Sequence, residues 1–130
     1  MINFQSESKK TGDEFELLVK DNLISRCLTI VDKNYCIPSI GIEVDYVAKC
    51  DDIVEYVEAK GGRSGGKKRP GAERTDNVKK AICNGALLKS YDPSACYVIY
   101  FSAPPKPNSY SDAMINTALN SGYVDEVRYL

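Results

Sequence analysis

Hydrophobic and polar positions alternate along this chain with two different periods. From Gly12, the residues Phe15, Leu18, Val19 and Leu23 recur at helical spacing, with Ile24 at the margin of the stripe. This predicts a first helix, with Thr11 or Asp13 as candidate caps. Residues 1–11 are polar and expected to fray. Cys27–Val31 is rich in β-formers, and Tyr35–Ile37 either extends or breaks that strand before Pro38. Ile42–Lys49 and Ile53–Lys60 are both β-prone and both end at turn signals, so a short loop around Cys50–Asp52 makes them a hairpin. Thr75 is a candidate cap for a second helix that places Val78, Ala81, Ile82, Gly85 and Ala86 on one face. The run 95–102 (ACYVIYFS) is apolar almost throughout, as in a strand buried on both faces. After a proline-rich loop, Ser111 is expected to cap a third helix reaching about Ser121, with Gly122 as its stop, and Val124–Tyr129 to form a short edge strand.

The resulting order, α-β-β-β-α-β-α-β, predicts one α/β domain over residues 1–130, a mixed sheet flanked by helices. No internal repeat or second domain is visible, and 130 residues suit a single core. No apolar run of membrane-spanning length occurs, and the N-terminus lacks the apolar segment of a secretory signal, so a cytoplasmic protein is expected.

Composition narrows the chemistry. There is no histidine, which removes mechanisms built on a Ser-His or Cys-His pair. The five cysteines are odd in number and none are spaced CxxC, so reduced, mostly buried thiols are expected rather than zinc ligands or disulfides. Acid–base work is left to carboxylates, lysine or metal-bound water. Net charge is only −1, but it is unevenly spread. Residues 1–60 carry 7 basic and 12 acidic side chains, residues 61–90 carry 8 and 2, and residues 91–130 carry 2 and 4. A cationic segment thus follows an acidic one, an arrangement that can hold a cation and a polyanion together.

The hairpin concentrates the candidate chemistry. Glu58 and Lys60 are two apart and share a strand face. A two-residue turn at Asp51–Asp52 pairs Cys50 with Ile53, which sets Asp45 opposite Glu58 and Glu43 opposite Lys60. Cross-strand partners stand about 4.5–5.5 Å apart at Cβ. Carboxylates that close repel unless one takes a proton or a cation lies between them. For an oxygen-only ligand set, Mg²⁺ is the expected cation and Mn²⁺ a substitute. A one-residue slip would instead bring Glu43 or Glu55 into play. Directly afterwards come Arg63, Lys67, Lys68, Arg69 and Arg74 among glycines, with Lys79 and Lys80 on the next helix, a pattern suited to phosphate contacts. Most of the nine tyrosines fall at strand positions and are expected in the core.

Asp45 followed by Glu58-Ala59-Lys60 resembles the PD-(D/E)XK nuclease superfamily, which includes many restriction endonucleases and archaeal-type Holliday junction resolvases. The resemblance covers about residues 12–102, leaving 103–130 as a C-terminal extension, an extra helix and short strand. Val44 stands where the family name has proline. The resemblance implies a restriction-endonuclease-like α-β-β-β-α-β core and divalent-metal-dependent DNA cleavage. Asp45, Glu58 and the Ala59 backbone carbonyl would ligate the metal, and Lys60 would orient the attacking water or scissile phosphate. The segment Gly12-Asp13-Glu14-Phe15-Glu16 is similar to the family's first-helix glutamate context, with Glu16 as the better match and Glu14 the fallback. A homodimer is one way for a chain of this size to cut both strands, with the last helix and Tyr123–Leu130 as candidate surfaces. A junction resolvase of the same fold, a non-catalytic DNA-binding module, and a structural protein whose acidic hairpin is mere surface are the alternatives.

Overall fold

Two short-range features fix the centre of the fold. Asp51 takes φ 53°, the left-handed conformation that tight hairpin turns require, and Cys50 pairs with Ile53 across it. The two-residue turn expected from the sequence is therefore present. The computed structural model describes residues 4–62 and 70–130. In it the helix α1 (Phe4–Ser25) leads into strands β1 (Thr29–Ile37), β2 (Ile42–Cys50) and β3 (Ile53–Lys60). A single 3₁₀ turn at Gly71–Glu73 precedes α2 (Thr75–Tyr91), which is followed by β4 (Cys96–Phe101), α3 (Tyr110–Ser121) and β5 (Glu126–Tyr129). The five strands form one sheet in the order β1-β2-β3-β4-β5. β1, β2 and β3 are antiparallel neighbours, whereas β3, β4 and β5 run parallel. The expected α/β class and mixed sheet are thus observed. No helix among the described residues is long and apolar enough to cross a membrane.

The period-two pattern of the strands divides the apolar side chains between two cores. On one face Phe15, Val19 and Leu23 of α1 pack on Tyr46, Ala48, Val57, Val98 and Tyr100. On the other, Val78, Ala81 and Leu88 of α2 and Ile115 and Ala118 of α3 pack on Val47, Tyr97, Ile99 and Phe101. β4 is buried on both faces, as its unbroken apolar run requires.

Several local expectations need correction. α1 begins at Phe4, so Gly12 lies inside it and neither Thr11 nor Asp13 is its cap. Among its described side chains the buried stripe is the narrow i, i+4, i+8 set Phe15, Val19 and Leu23, while Leu18 and Ile24 are exposed. Tyr35–Ile37 continues β1, which absorbs a register shift between Ile30 and Asp32. Arg74, not Thr75, is the residue preceding α2. Ser109, not Ser111, caps α3: its hydroxyl accepts from the Asp112 amide at 3.2 Å, and Ser111 is buried in the helix. Gly122 ends α3 in the left-handed conformation, as expected. All five cysteines are free thiols, but Cys27, Cys36 and Cys83 are exposed and Cys50 and Cys96 only half-buried, so the expectation of buried thiols fails. The tyrosines divide: Tyr46, Tyr97 and Tyr100 lie in the cores, whereas Tyr91 and Tyr110 are exposed.

Packing of α2 onto the sheet is closest at Gly85. A Cβ there would lie 2.5 Å from the Tyr123 carbonyl oxygen and 2.7 Å from the Tyr97 ring. The Tyr97 hydroxyl donates to the Ala81 carbonyl at 2.6 Å, one turn earlier on the same helix. Gly85→Ala is expected to destabilise the fold by about 1–3 kcal/mol through overpacking. The check is a lowered denaturation midpoint with an unchanged denaturant slope.

Candidate functional site

The β2–β3 ladder stops short of the acidic residues. Its last pair is Tyr46 with Val57, although the same register would continue to Asp45 and Glu58. The packing of β2 changes side at this point. Ile42 and Val44 pack into the α2/α3 core, whereas Tyr46 and Ala48 pack under α1. No register shift against β1 accompanies the change between Lys33↔Tyr46 and Tyr35↔Val44. The strands separate, and a side chain takes over from the missing ladder bond: the Ala59 amide donates to Asp45 Oδ2 at 2.7 Å.

That bond also orients Ala59. In a strand the N–H and C=O of one residue point to the same side, and successive residues alternate. The Lys60 carbonyl accepts from the Ser102 amide at 3.1 Å, on the β4 side. The Ala59 carbonyl consequently faces the β2 side, into the opening that Asp45 occupies.

Glu58 is only 4% exposed. The Asn84 amide on α2 donates to its Oε2 at 2.8 Å, and Asp45 lies within hydrogen-bonding reach. Glu16, half-buried on α1, approaches Asp45 from the other side. Tyr46 fastens this part of α1 to the sheet, its hydroxyl donating to the Glu16 carbonyl at 2.9 Å. The sheet therefore brings together Glu16, Asp45 and Glu58, with Asp45 as the shared neighbour. Lys60 is half-buried on the Glu58 face, and its ammonium favours the ionised form of Glu58 without overcoming the opposing effects.

Those opposing effects are large. Burial, then the adjacent Asp45 carboxyl, push Glu58 up to about 9. Burial and Asp45 likewise push Glu16 up to about 7, with Asp13 adding to the rise and Lys33 opposing it. A proton thus does what the sequence argument required of a proton or a cation. Among the described residues, no three Asp, Glu or Cys side chains converge closely enough to hold a metal by themselves. The set that fits is smaller: the Asp45 and Glu58 carboxylates and the Ala59 carbonyl, with Glu16 behind Asp45. Such a set suits Mg²⁺, which is commonly held by one or two carboxylates and keeps several waters.

The other candidates fall outside this cluster. Glu14 and Glu43 are exposed. Glu55 is buried, but it is held by Arg26 through contacts of 2.8 and 3.2 Å. Arg26 also donates to the Tyr100 hydroxyl at 2.7 Å, which in turn donates to Asn22. Glu55 is therefore committed to a separate network. Arg74 lies at the start of α2, 4.0 Å from Asp76, and Lys79 and Lys80 are exposed on the same helix. Arg63, Lys67, Lys68 and Arg69 lie outside the described residues. Asn84 was missed by sequence reading, and only a forecast of helix-on-sheet contacts could have singled it out.

Comparison with protein-family models, with curated proteins and with solved structures gave no match.

The raised acids set the pH dependence of stability. A carboxyl whose folded pKa lies above its unfolded value of about 4.5 favours folding below that value. Its contribution is lost as pH rises toward the folded pKa. Stability of the metal-free protein should therefore fall from about pH 4.5 upward, through about 7 for Glu16 and on to about 9 for Glu58. The Glu58 share is at most about 1.4 kcal/mol per pH unit. Denaturation of wild type and Glu58→Gln across pH 5–9 should show a shallower fall in the variant; parallel curves would refute the assignment.

Proposed function

We propose that this chain is a divalent-metal-dependent DNA endonuclease with a restriction-endonuclease-like fold. The observation that carries the reading is the junction of Asp45 with Glu58 and the Ala59 backbone where β2 and β3 part. The element order α1-β1-β2-β3-α2-β4 supports it, since the resemblance drawn from the sequence implies the same order. Asp45 and Glu58 are the carboxylates that would bind Mg²⁺ or Mn²⁺, with the Ala59 carbonyl as a backbone ligand and Glu16 adding negative charge from α1.

A bound dication would acidify water and draw charge from a phosphoryl oxygen. The chain's own residues do the rest. Lys60 projects from the strand face that carries Glu58, so its ammonium is set to orient the attacking water or to neutralise the scissile phosphate. Arg74 immediately precedes α2, Lys79 and Lys80 lie exposed on it, and together they give the substrate backbone a positive approach. Arg63, Lys67, Lys68 and Arg69 extend that charge in sequence. Two copies would be needed to cut both strands at once, and a homodimer through the last helix or the terminal segment belongs to the same proposal.

Supercoiled plasmid incubated with the purified protein should be nicked or linearised with Mg²⁺ or Mn²⁺ and left intact with EDTA. Lys60→Ala should lower the rate by about a hundredfold or more without reducing DNA binding to the same degree. Binding should weaken as salt rises. A parallel assay on four-way junctions identifies a structure-specific enzyme if those are cut in preference. No cleavage of any nucleic acid with either metal, or full activity in Lys60→Ala, would refute the catalytic reading.

A further inference from the structure

Asn84 is the donor that the Glu58 carboxyl receives among the described residues. Its reach depends on how α2 is seated. Asparagine is short, and a helix resting at ordinary distance from a sheet would leave its amide well away from a strand side chain. Here the next residue is Gly85, where there is no room for a Cβ against the Tyr97 ring and the Tyr123 carbonyl. The Tyr97 hydroxyl binds the Ala81 carbonyl one turn earlier, which fixes the rotation of the helix. Ala81 and Gly85 are buried and Asn84 is half-buried between the helix and the sheet. Its amide contacts one oxygen, Oε2, at 2.8 Å.

We propose that Asn84 is a positioning residue: by occupying Oε2 of Glu58 it fixes the carboxylate plane and leaves Oε1 for a divalent cation. This rests on the nuclease reading above and adds a residue to it. An amide donor is well suited to the task. It satisfies a buried carboxylate without supplying a charge, so the negative charge stays available to the cation, where a lysine or arginine at the same place would neutralise it. A side chain acting through a ligand in this way alters the metal requirement and leaves substrate affinity alone.

The test is single-turnover cleavage of duplex DNA over a range of Mg²⁺ concentrations by wild type, Asn84→Leu, Asn84→Ala and Asn84→Gln. DNA affinity without divalent cation and thermal midpoint with and without Mg²⁺ are measured in parallel. Asn84→Leu keeps the packing volume and removes the donor, which guards against loss of fold in the alanine variant. Asn84→Leu should raise the Mg²⁺ concentration for half-maximal rate by about tenfold or more, with DNA affinity unchanged and the rate largely recovered at saturating Mg²⁺. Asn84→Gln, which keeps the amide, should recover part of the loss. An unchanged Mg²⁺ requirement in an active Asn84→Leu would overturn the proposal. So would a rate that falls equally at every Mg²⁺ concentration, since Asn84 would then be acting on substrate. If wild type binds Mg²⁺, seen as a thermal shift, but does not cut, the nuclease reading alone fails. The comparison then passes to that shift, which Asn84→Leu should diminish. Absence of any Mg²⁺ effect on wild type would overturn both.

Discussion

The structure around Glu58 depends on one event, the end of backbone pairing between β2 and β3 after Tyr46 and Val57. Had the ladder continued, the Ala59 amide would have been taken by backbone, and Asp45 would have stood out from an ordinary sheet face. The Asp45 carboxylate takes the place of the missing partner, accepting from the Ala59 amide at 2.7 Å. Unmade backbone bonds in a buried position are costly, so the acid is part of the closure of the sheet as well as a candidate ligand. A side chain that serves both purposes has little freedom to move, which is what a metal ligand needs.

The second constraint is charge. Glu58 is buried beside the Asp45 carboxyl, with one amide to satisfy it, and Glu16 approaches that same Asp45 from α1. Packing on both faces enforces this proximity. Phe15 lies against Gly61, leaving no room for a Cβ there, and Gly85 seats α2 on Tyr97. A core built only for stability gains nothing from bringing like charges together in a region of low polarity. The contrast with Glu55 is instructive. That equally buried glutamate is matched by a two-bond contact with Arg26 and makes an ordinary internal ion pair. Two glutamates three residues apart on β3 thus meet opposite treatment, one neutralised by the protein and the other left for a proton or a cation.

Much of this was legible in the sequence because the signals were short-range. The β-prone runs and the Asp51–Asp52 turn defined the hairpin, and the register of that turn set Asp45 toward Glu58, although the ladder itself ends one pair earlier. The order of helices and strands followed from periodicity and stop signals such as Gly122. What escaped was decided by tertiary contact. The buried stripe of α1 is narrower than its apolar content suggests, since Leu18 and Ile24 face outward. Residues 4–11 continue the helix where composition suggested fraying. The cap of α3 is Ser109 rather than Ser111, since two hydroxyls two residues apart compete for the role. Asn84 could not be seen at all, because its part depends on the depth at which α2 packs.

We propose that the acids gathered at the parting of β2 and β3 exchange a proton for a divalent cation. Calorimetric titration of the protein with Mg²⁺ at pH 7.5, repeated in buffers of different ionisation enthalpy, measures that exchange directly. Net proton release on binding is expected, reduced in Glu58→Gln together with the affinity. Mg²⁺ binding without proton release, or an unaltered titration in Glu58→Gln, would contradict it.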